Sequence, residues 1–159
     1  MSDSLVERIL AEMPHAAQLY SRLVLVVGPP GSGKTSALQE ISRRAGYPYV
    51  NLNLELCRRL LELPERQRPL RVPALLQDTL PAAVDAVLLD NTEVLFDLSL
   101  KQDPLRCLLG VSRDRTVVAA WNGVVEDMHL LYATYGHPEH RRHPLGDLLV
   151  VQTGPASGT

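Results

Sequence analysis

Aromatic side chains are scarce: one Trp, one Phe and five Tyr in 159 residues. So few rings cannot form a row of base-stacking platforms along a nucleic-acid strand. Lysine is rarer still, with only Lys34 and Lys101, so 14 arginines carry almost all the positive charge. Neither sign of charge dominates, since the net charge is -2 at pH 7. That argues against a globally basic nucleic-acid binder and leaves room only for a local patch. Cysteine is limited to Cys57 and Cys107, far apart and outside any metal-ligand spacing. Both are expected to be reduced thiols packed as small hydrophobes. Long apolar runs are missing: none exceeds the five residues of Leu23–Val27. A membrane-spanning helix needs roughly 20, so no membrane partner is expected. The N-terminus carries Asp3 and Glu7 and lacks a basic-then-apolar leader, so a cytoplasmic location is expected. A chain of 17.6 kDa is one domain's worth.

Against these absences one segment stands out. Gly28-Pro29-Pro30-Gly31-Ser32-Gly33-Lys34-Thr35 fits G-x-x-x-x-G-K-[ST] at every fixed position. Leu23–Val27 before it reads as a buried parallel strand. After it, Ala37, Leu38, Ile41 and Ala45 recur at helical spacing, and Gly46 closes the helix behind Arg43 and Arg44. Such a loop turns its backbone N–H groups toward phosphates, because Gly31 and Gly33 carry no Cβ. The helix N-terminus, including Ser36, adds partial positive charge. Lys34 is expected on the β and γ phosphates of ATP, and the Thr35 hydroxyl on Mg²⁺.

The remaining chain supplies further elements. Ser4-Leu5-Val6-Glu7 has the form of a capping box and opens an N-terminal helical segment within residues 1–20. That helix is expected to break or kink at Pro14, with a second helical stretch from Ala16 to Tyr20. Residues 47–53 read as a second strand, Leu54–Leu63 as a helix, and Val72–Leu80 as another. Arg58, Arg59, Arg66, Arg68 and Arg71 make this region locally basic, against Glu62 and Glu65. They form either a solvated face or a patch for phosphate, nucleic acid or an acidic partner. Val84–Asp90 reads as the third strand, and its terminal Asp, 56 residues after Lys34, fits a Walker B carboxylate able to hold Mg²⁺. Asp103-Pro104 starts a short helix closed by Gly110. Thr116–Trp121 is the fourth strand, ending at Asn122-Gly123, and residues 147–151 are the fifth. Residues 1–151 are thus expected to be one nucleotide-binding domain, and 152–159 a flexible tail. His137, His140 and His143 invite a metal reading on a short helix, but Pro138 and Pro144 stand against it.

Several phosphate-loop classes share these parts. A guanine-specific N-K-x-D signature is missing, since Lys101 sits in Leu-Lys-Gln. A small-molecule kinase fits the length and remains an alternative. The loop wording, Leu88-Leu89-Asp90-Asn91-Thr92-Glu93 and Val117-Val118-Ala119-Ala120-Trp121-Asn122 together resemble the AAA+ ATPases. That resemblance implies a three-layer α/β P-loop NTPase fold of the additional-strand class. The expected sheet is five-stranded and parallel, in order 5-1-4-3-2. It also implies a sensor role for Asn122, beside the γ-phosphate, and an arginine finger at Arg141 or Arg142 reaching a neighbour's nucleotide. Those two arginines otherwise read as surface residues of a loop, and Asn122 as an ordinary Asn-Gly turn. The sequence departs from the family at Asn91, where an acid normally follows the Walker B Asp. Asn can position a water but cannot accept its proton. Glu93 and Glu55 are the candidate acids, with Glu93 favoured; hydrolysis is expected to be slow or partner-dependent. Full AAA+ modules follow the fifth strand with a helical lid. Only about eight residues follow it here, so no C-terminal helical lid is expected and closure over ATP would come from another subunit.

A closer likeness spans roughly residues 20 to 150. Asn53–Leu56, Arg58–Leu70, Leu88–Asn91 with Glu93, Lys101–Leu105 and Val118–Gly123 resemble the BrxF family, the small P-loop proteins of type 3 BREX bacteriophage-defence systems. The resemblance implies a component of a multiprotein antiviral system. A homo-oligomer is expected on a different ground, because the nucleotide site would otherwise lack a trans arginine. The intact loop beside an incomplete catalytic set leads to the further expectation that ATP·Mg²⁺ controls assembly with other BREX proteins or DNA. A nucleotide-gated scaffold with little hydrolysis is the rival reading.

Overall fold

The computed structural model describes residues 2–132 and 141–154. Its centre is the strand β1 (Leu23–Gly28), buried along its whole length. A strand with no polar face must be covered on both sides, and here it is. Leu23, Leu25 and Val27 pack into one apolar cluster, Val24 and Val26 into the other. The same two-residue alternation divides β3 (Ala86–Asp90) and the first half of β4 (Thr116–Glu126): Val87, Leu89, Val117, Ala119 and Trp121 face one way, Ala86, Leu88, Val118 and Ala120 the other.

On the second face lie α1 (Ser2–Ala16) and α2 (Lys34–Ala45), through Leu5, Val6, Ile9, Ala37, Leu38 and Ile41. On the first lie α3 (Leu52–Leu60), α4 (Arg68–Thr79) and α5 (Pro104–Val111), through Leu52, Leu56, Val72, Leu76 and Leu108. With β2 (Tyr49–Asn51) and β7 (Leu149–Gln152) the parallel strands run in the order β2-β3-β4-β1-β7. That is the expected order of five strands.

Among the described residues the sheet nevertheless has seven strands. β4 does not end at Asn122-Gly123 but runs on to Glu126, then pairs antiparallel with β5 (His129–Tyr132), which pairs with β6 (Arg141–Pro144). The connecting pair Asp127 and Met128 both have positive φ, 51° and 60°. That is the twist a two-residue hairpin needs, supplied without the usual Asn-Gly. Arg141 and Arg142 therefore lie on a strand, opposite Tyr132 and Leu131, rather than in a loop. His143 is also on that strand and not on a helix, while His137 and His140 lie outside the described residues.

Three helix expectations need correction. α1 continues through Pro14 to Ala16. Pro14 is exposed in the last turn, and the buried Ile9, Met13 and Ala16 hold the helix to the sheet around it. The expected helix from Ala16 to Tyr20 is only a pair of tight turns, Gln18 N–H to His15 O and Leu19 N–H to Ala16 O. α4 starts at Arg68, earlier than Val72, with Pro69 in its first turn where no N–H is required. Pro73 inside it leaves the Pro69 carbonyl without its helical donor, and Gln102 Nε2 donates to that oxygen at 2.8 Å. Gln152 closes β7, and residues 155–159 lie outside the described residues. Among the described residues no helix follows β7 and none is long and apolar enough to cross a membrane.

Candidate nucleotide site

The C-terminal ends of the parallel strands bring four positions together. Gly28 of β1 is level with Asn122 of β4, and Asp90 of β3 is level with Asn51 of β2. Between β1 and α2 the chain turns through Gly31 (φ +78°) and Gly33 (φ +99°), backbone that an L side chain resists. Gly28 is glycine for a different reason. A Cβ there would lie 2.2 Å from Thr153 Oγ1 and 2.5 Å from Ser32 Oγ. No side chain among the described residues caps the start of α2, so its first N–H groups remain available to an anion.

Lys34 is buried and folds back over the loop. Its Nζ donates to Gly28 O and Pro29 O, both at 2.7 Å. Burial lowers its pKa, opposed by the negative charges of Glu93 and Asp90. Thr35 Oγ1 donates to Asp90 Oδ2 at 2.6 Å. The two groups expected to share a divalent cation therefore meet in space. Both present hard oxygen atoms, the donor type that Mg²⁺ takes, so the residues fit the ion. Bound there, Mg²⁺ would neutralise charge on the β and γ phosphates.

Beyond Asp90 the chain bends sharply. Asn91 takes a left-handed conformation (φ 55°), its N–H bonded to Asp90 Oδ1 at 2.9 Å. Thr92 is pinned to β4 by a 2.5 Å bond from its hydroxyl to Ala120 O. This bend carries Glu93 back toward the cleft, where Asn122 Nδ2 donates to its Oε2 at 2.5 Å. Pro30, Gly31, Gly33, Lys34, Thr35, Ser36, Asp90, Asn91, Glu93 and Asn122 line one cleft of about 320 Å³. Glu55 is elsewhere: it sits on α3, paired with Arg59 at 3.2 Å and Arg58 at 3.5 Å. Arg142 does not line the cleft and is exposed.

The arginine-rich stretch is divided. Arg58 and Arg59 are occupied by Glu55, and Arg68 Nε caps the end of α3 through Leu60 O and Leu63 O. Arg66 and Arg71 are exposed. Among the described residues no group of three or more His, Cys, Asp or Glu could hold a metal by itself.

Tyr49 has no counterpart among the residues expected from the sequence. Its hydroxyl donates to Asp90 Oδ2 at 2.7 Å, and Gln39 of α2 donates to that hydroxyl. Burial, then the bond to Asp90 and its charge, push the phenol well above its ordinary range. No motif marks a Tyr at this spot; only the pairing of Tyr49 with Leu88, two residues before Asp90, puts it within reach.

The strand–loop–helix geometry, the strand order and the carboxylate opposite the loop define a P-loop NTPase fold. Residues 24–97 match the ATPase family associated with various cellular activities (AAA). The match covers a little under half of the chain. It includes the phosphate loop, Asp90 and Glu93, and stops before Asn122 and the β4–β5–β6 extension. A search of the curated proteins finds no match. The AAA match supports a nucleotide-binding ATPase domain of this type, and implies ATP, typically with Mg²⁺, as the ligand.

Proposed function

We propose that the chain is an ATPase that binds ATP·Mg²⁺ at Gly28–Ser36 and Asp90, turns it over slowly, and uses the bound nucleotide to control assembly. One observation carries this reading. The phosphate loop, the Thr35–Asp90 pair and the Glu93–Asn122 pair converge on a single cleft. In it Lys34 would leave the Gly28 and Pro29 carbonyls for the β and γ phosphates. Asn122 would hold Glu93 at the far side, where its carboxylate could take a proton from an attacking water.

Slow turnover follows from the same geometry. Asn91 stands where an acid would be, and Glu93 is tied to Asn122 rather than free. This favours, as a second reading, a nucleotide-gated scaffold that hydrolyses little. Among the described residues no arginine lines the cleft. An arginine from a second copy, Arg141 or Arg142, would supply that cation, which makes a homo-oligomer the expected active form. The resemblance of residues 20–150 to the BrxF family extends the proposal to a type 3 BREX antiviral system, with other proteins of that system as partners. DNA is a further candidate partner through the exposed Arg66 and Arg71; binding that is insensitive to salt would exclude that role.

The test is molar mass in solution with and without ATP·Mg²⁺, on wild type and Lys34→Ala. Wild type should gain mass with nucleotide, and Lys34→Ala should bind ATP about 100-fold more weakly and stay unchanged in mass. Equal ATP affinity in the two proteins would overturn the proposal. Single-turnover hydrolysis then separates the readings. Glu93→Gln should be slower than wild type and Glu55→Gln equal to it; three equal and negligible rates would favour the scaffold.

A further inference from the structure

Asp90 is surrounded by more donors than a metal-linked carboxylate needs. Oδ1 accepts from Asn91 N–H, and Oδ2 accepts from both Thr35 Oγ1 and Tyr49 OH. An ionised carboxylate offers about four lone-pair directions. Three are taken, both of those on Oδ2, so one acceptor direction is left, on Oδ1. Tyr49 comes from β2, the neighbour of β3, and is itself oriented by Gln39 from α2. It does not line the cleft. Its ring packs against the apolar cluster beneath α1 and α2, so the hydroxyl is held by a fixed body.

We infer that Tyr49 is a positioning residue for the Mg²⁺ site: its hydroxyl fixes the rotation of the Asp90 carboxylate and reserves the remaining Oδ1 direction for a metal-bound water. The inference rests on the nucleotide reading above. Without the hydroxyl, Oδ2 regains an open lone pair. Bulk water can then occupy it and the carboxylate can turn about its Cβ–Cγ bond. Thr35 is held to the same oxygen, so the two oxygen groups offered to the cation lose their common alignment. Groups that orient metal ligands without touching the metal are worth about 10- to 100-fold in metal affinity. The loop's contacts to phosphate would run through backbone N–H groups and Lys34, and Tyr49 does not line the cleft, so nucleotide binding without metal has no reason to change.

The experiment titrates Mg²⁺ into the complex of the full chain with a fluorescent ATP analogue, for wild type, Tyr49→Phe and Gln39→Met. Affinity for the analogue in EDTA and the melting temperature are measured on the same samples. Tyr49→Phe should raise the Mg²⁺ half-point about tenfold and leave the EDTA affinity within about twofold. Gln39 is exposed on α2, so its substitution should fold normally and shift the half-point in the same direction by less. A Mg²⁺ half-point for Tyr49→Phe within about twofold of wild type would overturn the inference. So would an equal loss with and without metal, which would make Tyr49 merely structural. Absence of any nucleotide signal from wild type would instead refute the nucleotide reading, and the inference with it.

Discussion

Gly123→Ala tests the link between the nucleotide cleft and the antiparallel extension. A Cβ at this position would lie 1.8 Å from Leu131 O, 2.9 Å from Leu131 C and 3.0 Å from Trp121 Nε1. The first two neighbours are backbone and cannot swing aside. Leu131 O is also the acceptor of Trp121 Nε1–H at 3.1 Å. Relief therefore requires β5 to lift from β4 by roughly 1.5 Å, the shortfall from an ordinary van der Waals contact. Lifting loses the Trp121 bond, about 1 kcal/mol. It also opens the packing of Leu130 and Tyr132, both buried. About 40 Å² of apolar surface exposed there costs about 1 kcal/mol. Residual overpacking adds about another 1 kcal/mol, and the smaller unfolded-state entropy of Ala returns about 0.5–1 kcal/mol. The net is a destabilisation of about 2–2.5 kcal/mol. The assay is urea unfolding followed by fluorescence. Trp121 is the single Trp of the chain, fully buried, and its ring meets Phe96, Tyr132 and His143, so the signal reports this junction. Gly110→Ala is the control: it lies inside α5, where an added methyl meets nothing within 4 Å, and should stabilise by about 0.5–1 kcal/mol. A change for Gly123→Ala within about 0.5 kcal/mol of zero would refute the reasoning.

Two further outcomes concern α5. Burial first, then the charge of Asp103, pushes the Cys107 thiol from 9.0 up to about 11. Its alkylation by iodoacetamide should be very slow at pH 8 and speed up about tenfold per pH unit toward pH 11. The folded state holds this proton more tightly than the unfolded chain, so the stability it contributes is complete below pH 9 and lost as pH rises through about 11. Rapid modification at pH 8 in the folded protein would contradict this environment. Asp103 also caps α5 by accepting from Arg106 N–H. Asp103→Ala should cost about 1 kcal/mol in urea unfolding, and Asp103→Asn much less, because Asn caps equally well. Equal losses in the two variants would show that the charge and not the cap matters.

What could be read from the chain alone was whatever local chemistry dictates. Eight consecutive residues, Gly28–Thr35, carry their own backbone demands, so the loop needs no tertiary help to be recognised. Buried parallel strands read as apolar runs because both faces are covered, which made β1, β3 and the first half of β4 visible. Asp90 followed from the end of such a run. Pro14 misled because it sits in the last turn of α1, where the buried Ile9, Met13 and Ala16 hold the helix to the sheet around it.

Tertiary structure decided everything that depends on two distant segments meeting. The choice of Glu93 over Glu55 as the carboxylate at the cleft came from the left-handed Asn91 and from Asn122, 29 residues after Glu93. Both glutamates are plausible in sequence; only one is turned inward, and the other is neutralised by Arg58 and Arg59. The β4–β5–β6 extension was hidden because its turn is Asp127-Met128, residues that adopt positive φ only where the strand pairing on either side compels it. Asn122-Gly123 looked like a turn, yet the glycine is there for the close approach of Leu131. Tyr49 had no local signature at all, because its role exists only in the register between β2 and β3. Backbone requirements are local and show in residue type; side-chain partnerships across the sheet are set by register, which the whole packed fold determines.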